Sequence, residues 1–295
     1  MSRGLRCVAP VGDRCGEAAT WCAEEQALYW CDVNRFLIHR LDRGESVSSW
    51  FFDEPVTALS LTDRAGELLV ALGSRLVLWR PDDDSRRNHG FRLPDWPEAR
   101  LNDGRAAPNG DLWIGSMGNN VGPDGEPGDV APGLGVLMRI RSDGVSSIEK
   151  RDLGISNTVC WSPDRRTFYF GDTLRNTIWA YDYDAASGEI ASERPFFAGF
   201  ERGEPDGSCV DADGRLWNCR FGGSCVVCVG PDGRIEEILE MPVRNITTCA
   251  FGGPDLKTLY ITTAAMMTTP SDRLAGSLFA YDAGVRGLDG FRARV

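Results

Sequence analysis

Histidine is nearly absent from this 295-residue chain, which contains only two, His39 and His89. A histidine-rich zinc site, or a nucleophile activated by a histidine base, would have to be built around one of them. His39 lies in the alternating run Phe36-Leu37-Ile38-His39-Arg40 and His89 in the polar stretch Arg86 to Gly90, so both read as structural or surface residues. Basic excess is missing too: 32 Lys and Arg stand against 43 Asp and Glu, a net charge of -11. Without a Lys/Arg-rich run, a nucleic acid duplex or an anionic membrane would be repelled. No apolar run is long enough to span a bilayer, and Met1 to Arg6 lacks the apolar segment of a secretion signal. The expected location is therefore the cytoplasm, with the ten cysteines reduced. The pair Cys225-Val226-Val227-Cys228 is spaced like a chelating motif but falls in a predicted strand, where i and i+3 project to opposite faces. Sustained helical periodicity is absent, and so is a glycine-rich phosphate loop.

What is present is repetition. A turn signal followed by a branched or aromatic strand recurs around Leu28, Leu68, Leu112, Phe168, Leu216 and Leu259, at steps of 40, 44, 56, 48 and 43 residues. A second short β-rich element follows each: Phe36 to Leu41, Arg75 to Arg80, Gly135 to Ile140, Thr177 to Tyr183, Ser224 to Val229 and Ser277 to Tyr281. Six such units point to an all-β fold, a six-bladed β-propeller with four-stranded antiparallel blades, forming one domain over residues 1–295. Tandem sandwiches are the architectural alternative. Closure of the ring needs an extra strand, for which Leu5 to Pro10 and Phe291 to Val295 are both candidates.

In a propeller, equivalent positions of successive repeats form a ring around the central axis. Counting ten or eleven residues back from each anchor gives Glu17, Thr57, Asn102, Asn157, Asp206 and Thr248. Two carboxylates, two amides and two hydroxyls would thus face one channel mouth. Oxygen ligands without histidine or thiolate suit a hard cation such as Ca²⁺, Mg²⁺ or Mn²⁺. Read singly, the same residues are turn formers entering each innermost strand, and Asp103 reads best in that way.

The chain resembles the regucalcin (senescence marker protein)/gluconolactonase family of six-bladed propeller lactonases, from about Cys15 to Ala265. The resemblance is carried by Gly16-Glu17 with Leu28-Tyr29-Trp30-Cys31-Asp32-Val33, and by Arg100-Leu101-Asn102-Asp103-Gly104 with Leu112-Trp113-Ile114-Gly115-Ser116-Met117. It continues through Ser156-Asn157-Thr158-Val159-Cys160-Trp161, Pro205-Asp206-Gly207-Ser208-Cys209 and Thr248-Cys249-Ala250-Phe251-Gly252-Gly253. It implies one divalent cation (Ca²⁺, Mn²⁺, Mg²⁺, Fe²⁺ or Zn²⁺) held by Glu17, Asn157 and Asp206, with Arg100 and Asn102 contacting a sugar lactone. Two departures bear on the site. Relatives commonly continue the first motif as Gly-Glu-Gly-Pro, where this chain has Gly16-Glu17-Ala18-Ala19. Some carry an acidic substrate contact where this chain has Gly118-Asn119-Asn120, so Asn120 takes that place as a substrate-binding candidate. The segment Val121 to Leu134 lengthens the third repeat and has the length of a lid or specificity loop.

The expected activity is metal-dependent hydrolysis of a pentono- or hexonolactone, with the metal polarising the carbonyl and Asp206 activating water. The alternatives are a phosphotriester or aryl ester hydrolase on the same scaffold, and a non-enzymatic metal-binding interaction propeller. The expected partner is a small sugar lactone, with no nucleic acid and no membrane, and the chain is expected to be a monomer or weak homo-oligomer.

Overall fold

A computed structural model describes residues 4–43 and 46–295. Met1 to Arg3, part of the stretch read for a secretion signal, lie outside the described residues. Six four-stranded antiparallel sheets form the blades of a propeller. Blade 1 is β2–β5 (Gly16–Cys22, Ala27–Asp32, Leu37–Asp42, Ser46–Phe51), and blade 2 is β6–β9 (Val56–Leu61, Leu68–Leu72, Arg75–Arg80, Ser85–Arg92). Blade 3 is β10–β13 (Ala99–Ala106, Leu112–Gly118, Gly135–Ile140, Ser146–Leu153), and blade 4 is β14–β17 (Ser156–Trp161, Thr167–Asp172, Thr177–Tyr183, Ile190–Ala198). Blade 5 is β18–β21 (Glu204–Val210, Leu216–Phe221, Cys225–Val229, Ile235–Glu240). Blade 6 joins β22–β24 (Asn245–Gly252, Thr258–Ala264, Leu278–Asp282) to β1 (Arg6–Ala9). Of the two candidate closing segments, the N-terminal one pairs with β24.

The innermost strands β2, β6, β10, β14, β18 and β22 pack in turn around the axis, with β22 against β2 closing the ring. The second strands carry the repeat anchors and are almost wholly buried, which is why their apolar runs stand out in the sequence. The outer strands are mostly exposed: β5 reads Ser-Val-Ser-Ser-Trp-Phe and β9 Ser-Arg-Arg-Asn-His-Gly-Phe-Arg. Between blades, large aromatics fill the wedge; Trp30, Trp79, Trp113 and Trp217 are fully buried. Each such side chain contributes about 1.5–3 kcal/mol of burial. His39 belongs to this framework, with Nδ1 against Ser49 Oγ at 2.7 Å and Nε2 against Asp13 Oδ1 at 3.1 Å.

After β24 the chain crosses the end of the channel away from Glu17. It bonds blades 5 and 6 through Arg286 O and Gly287 N, then blades 2 and 3 through Ala293 N to Leu61 O and Arg294 N to Gly110 O. Phe291 to Val295 therefore caps that end rather than closing the ring. Among the described residues, no helix is long and apolar enough to cross a membrane.

Candidate metal and substrate site

The innermost strands share a local defect that makes the site. In every blade the pairing between the first and second strands slips: between Glu17 and Thr20, Val56 and Ala58, Leu101 and Gly104, Asn157 and Cys160, Pro205 and Ser208, and Ile246 and Cys249. A bulge adds one residue to a strand and re-aims its side chains, here at the same height in all six blades. The clusters read as turns in the sequence are therefore bulges within strands. The register also refines the ring. Glu17 and Asn157 are the last paired residues before the slip, facing Cys31 and Gly171, whereas Asn102 and Asp206 lie one residue further, inside the bulge.

Glu17 and Asn157 are held from behind by the same device. Each precedes a residue in the left-handed region, Ala18 at φ 59° and Thr158 at φ 56°. Ala18 so takes a conformation that glycine ordinarily supplies, and its amide donates to Glu17 Oε2 at 3.0 Å. Asp32 and Asp172, at the ends of β3 and β15, cap short 3₁₀ turns, Val33–Arg35 and Thr173–Arg175. Asp32 also accepts the amides of Arg14 and Cys15 and the Arg35 Nε. Asp172 accepts those of Gly154 and Ile155 and pairs with Arg175. The chain entering each ligand-bearing strand is thereby tied down. Composition did not single out these two aspartates, yet a repeated Asp-x-x-Arg lies fifteen residues after Glu17 and again after Asn157, and that signal could have found them.

Asn157 is buried, and its Nδ2 donates to Thr173 Oγ1 at 2.9 Å, which in turn donates to Pro205 O at 2.7 Å beside Asp206. Its Oδ1 is left to accept Asn102 Nδ2 at 3.2 Å. Asn102 Oδ1 takes Arg100 Nη1 at 2.7 Å, and Asn120 Oδ1 takes Arg100 Nε and Nη2 at 3.0 and 2.9 Å. Arg100, Asn102, Asn120 and Asn157 thus form one hydrogen-bonded row. Asp206 is brought to it by its bulge: Thr158 Oγ1 and Asn218 Nδ2 both donate to its main-chain oxygen, at 2.6 and 3.2 Å. The residue after it has to be glycine, because a Cβ on Gly207 would sit 2.1 Å from Thr248 Oγ1.

The electrostatics single out Glu17 and Asp206. Burial, with the Asp103 charge second, raises the Glu17 carboxyl to about 8. Burial followed by the charges of Glu17 and Asp103 pushes Asp206 well above the usual carboxylate range. Arg100 is lowered by burial to about 10, with Cys15, Glu17 and Asp206 opposing the shift, so it stays charged at neutral pH. Asp103 does not form a turn. It is buried in β10, where its Oδ2 accepts Val159 N at 3.4 Å, and burial raises its carboxyl. Cys15, which the sequence reading passed over, lies among Glu17, Asp206 and Arg100.

Thr57 and Thr248 do not join the row. Thr57 is buried and donates to Ala71 O in its own blade, while Thr248 lies deeper in its bulge, 3.5 Å from Arg105 Nη2. The segment after Asn120 crosses to blade 1: Asn34 Nδ2 donates to Gly125 O at 2.8 Å, and Val121 packs in the core of blades 1 and 2.

Among the described residues no three His, Cys, Asp or Glu side chains gather as a metal-binding group. The set that faces the channel is two carboxylates and an amide. Those two neighbouring acids, raised first by desolvation and then by Asp103 on Glu17 and by Glu17 and Asp103 on Asp206, fit an oxygen-preferring divalent cation.

Residues 15–265 match the family model described as SMP-30/Gluconolactonase/LRE-like region. Over 97% of its length the chain is 33% identical to the 6-deoxy-6-sulfogluconolactonase of Pseudomonas putida, covering 97% of that protein. It is 34% identical to the pentonolactonase of Haloferax volcanii, over 96% of this chain and 95% of that one. The crystal structure of a regucalcin from Agrobacterium tumefaciens, described as a calcium-binding protein, is similar with a TM-score of 0.90 at 27% identity, covering 99% of this chain and 97% of that chain.

Proposed function

The chain belongs to the SMP-30/gluconolactonase/LRE-like family, and on that premise we propose that it is a sugar lactonase, with residues 1–295 acting as one propeller domain. Its substrate is an aldonolactone, pentono- or hexono-, opened to the free aldonic acid. Glu17, Asn157 and Asp206 would hold one divalent cation, for which Ca²⁺ is the first candidate and Mn²⁺, Mg²⁺, Fe²⁺ and Zn²⁺ the others. When bound, the cation supplies Lewis acidity where the carbonyl oxygen gains charge. Asp206 accepts the proton of the attacking water. The Asp206 carboxyl is raised in the cation-free protein, and with a cation bound it would return to the ionised form that a general base needs near neutral pH. Arg100 and Asn102, fixed against each other and against Asn120, orient the lactone through its hydroxyls and carbonyl. Most of the row's hydrogen bonds end on neutral amides, so Arg100 keeps its charge for the substrate.

The observation that carries this reading is the pair of half-buried Glu17 and buried Asp206, both raised, next to an ordered amide and guanidinium row. The test is a pH-indicator assay of chelator-stripped protein on pentono- and hexonolactones, with aryl esters and phosphotriesters as comparators. Acid release restored by one of the five cations supports the reading. Unchanged turnover after stripping, or turnover confined to the comparators, overturns it.

A further inference from the structure

The channel has a second polar cluster that hydrolysis does not use. Below the bulges, toward the tail-capped end, Cys209 of β18 and Cys249 of β22 bring their sulfurs to 3.4 Å across the seam between blades 5 and 6. Cys249 is buried, with its Sγ also 3.4 Å from Trp217 O. Cys209 is partly exposed and lines a cavity of about 100 Å³. Arg105 and Cys160 share that cavity, and the tail residues Asp289 and Gly290, both exposed, form its rim. Arg105 lies near both sulfurs, and its Nε has no hydrogen-bond partner. Burial and then Cys249 hold the Cys209 thiol up against Arg105, whereas against burial the contacts with Cys209 and Cys219 and the Arg105 charge lower the Cys249 thiol. Cys7 and Cys15 are the other partly exposed thiols, and among the described residues neither has a second sulfur within hydrogen-bonding distance.

We propose that Cys209 and Cys249 form a peroxide-reactive dithiol that closes reversibly to a disulfide joining the innermost strands of blades 5 and 6. A water-sized oxidant reaches Cys209 through the cavity, and the second sulfur is already in place. The Cys209 Sγ attacks hydrogen peroxide; an S–O bond forms as O–O breaks, and the departing hydroxide takes the thiol proton, leaving water and a Cys209 sulfenic acid. The Cys249 Sγ then attacks that sulfur; S–S forms as S–O breaks, and the second hydroxide leaves as water with the Cys249 proton. Two thiols lose two electrons in all, and one peroxide is reduced to two waters. Closure needs the sulfurs to move from 3.4 Å to about 2.0 Å.

The experiment treats the full-length protein with stoichiometric hydrogen peroxide, alkylates the remaining thiols and maps tryptic peptides by mass spectrometry. The expected result is a Cys209–Cys249 linked peptide, two thiols lost to alkylation, and full recovery with dithiothreitol. Cys249→Ser leaves a Cys209 sulfenic acid that dimedone traps, and Cys228→Ser changes nothing. A bridge to Cys219 instead, or oxidation confined to Cys7 and Cys15, overturns the proposal. The wild-type map decides the matter even if a variant fails to fold.

Discussion

Two sets of acids in this propeller are differently provided for: Asp32, Asp172 and Asp211 are fully buried, whereas Asp206 is 7% exposed and Glu17 is only half-buried. Asp32, Asp172 and Asp211 each accept at least two backbone amides and an arginine; Asp211 also takes Trp217 Nε1 at 2.9 Å. Glu17 receives the amide of Ala18 and Asp206 that of Gly207, and neither has an arginine within salt-bridge distance among the described residues. A fold that provides donors so fully to one set has withheld them from the other, at a cost in stability that protonation, or the cation proposed for the site, offsets. The supply of donors, more than the degree of burial, separates these framework acids from Glu17 and Asp206.

That contrast can be broken by exchanging the consequences. The largest effect belongs to Asp32→Ala and Asp172→Ala, which strand several amides and an arginine. Each is expected to cost about 3–5 kcal/mol in urea unfolding. Glu17→Gln and Asp206→Asn are expected to do the reverse, lowering kcat/KM by roughly 100-fold or more with no loss of Tm in metal-free buffer. A destabilisation matching that of Asp32→Ala would erase the distinction. Asn102→Ala, which removes a proposed substrate contact and not a proposed ligand, is expected to lower kcat/KM by about tenfold while calorimetric cation affinity stays unchanged.

The contrast is sharpened by pH. In the metal-free protein Glu17 titrates near 8 when folded, against an ordinary 4.5. Between those values the folded state binds the extra proton, so stability falls as pH rises through that window, and Asp206 acts in the same direction. Differential scanning calorimetry of chelated protein from pH 5 to 8 is expected to show a falling Tm that Glu17→Gln flattens. The smallest effect is at the loop that follows Asn120. A Cβ on Gly125, which sits at φ +76°, would meet Asn34 O at 1.8 Å, so Gly125→Ala is expected to loosen the loop from blade 1. KM is then expected to rise about threefold, within the range of one lost hydrogen bond.

The architecture was legible because the second strands are buried on both faces and announce themselves as apolar runs around Leu28, Leu112 and Leu216. The outer strands were not, since exposed segments such as Ser85–Arg92 need no hydrophobic pattern. Spacing located the channel mouth but not its register. Thr57 lies at the same place in its bulge as Asn102 and Asp206 but is bonded to Ala71 O within its own blade, and Thr248 lies one residue further along its bulge. Asp103 looked like a turn because Asn-Asp-Gly is ordinarily one, and only the strand pairing shows it inside β10. Which terminus closes the ring was open because both end segments are short and β-compatible, and the choice rests on contacts with residues more than two hundred positions away.

That closure bears on how the molecule is made. β1 leaves the ribosome first, yet its partner β24 is synthesised last, so the opening strand waits unpaired while five blades emerge. Its four residues, Arg6-Cys7-Val8-Ala9, are short and begin with a charge, which suits a segment that must avoid pairing elsewhere. The seam at blade 6 can then form only once β24 has emerged.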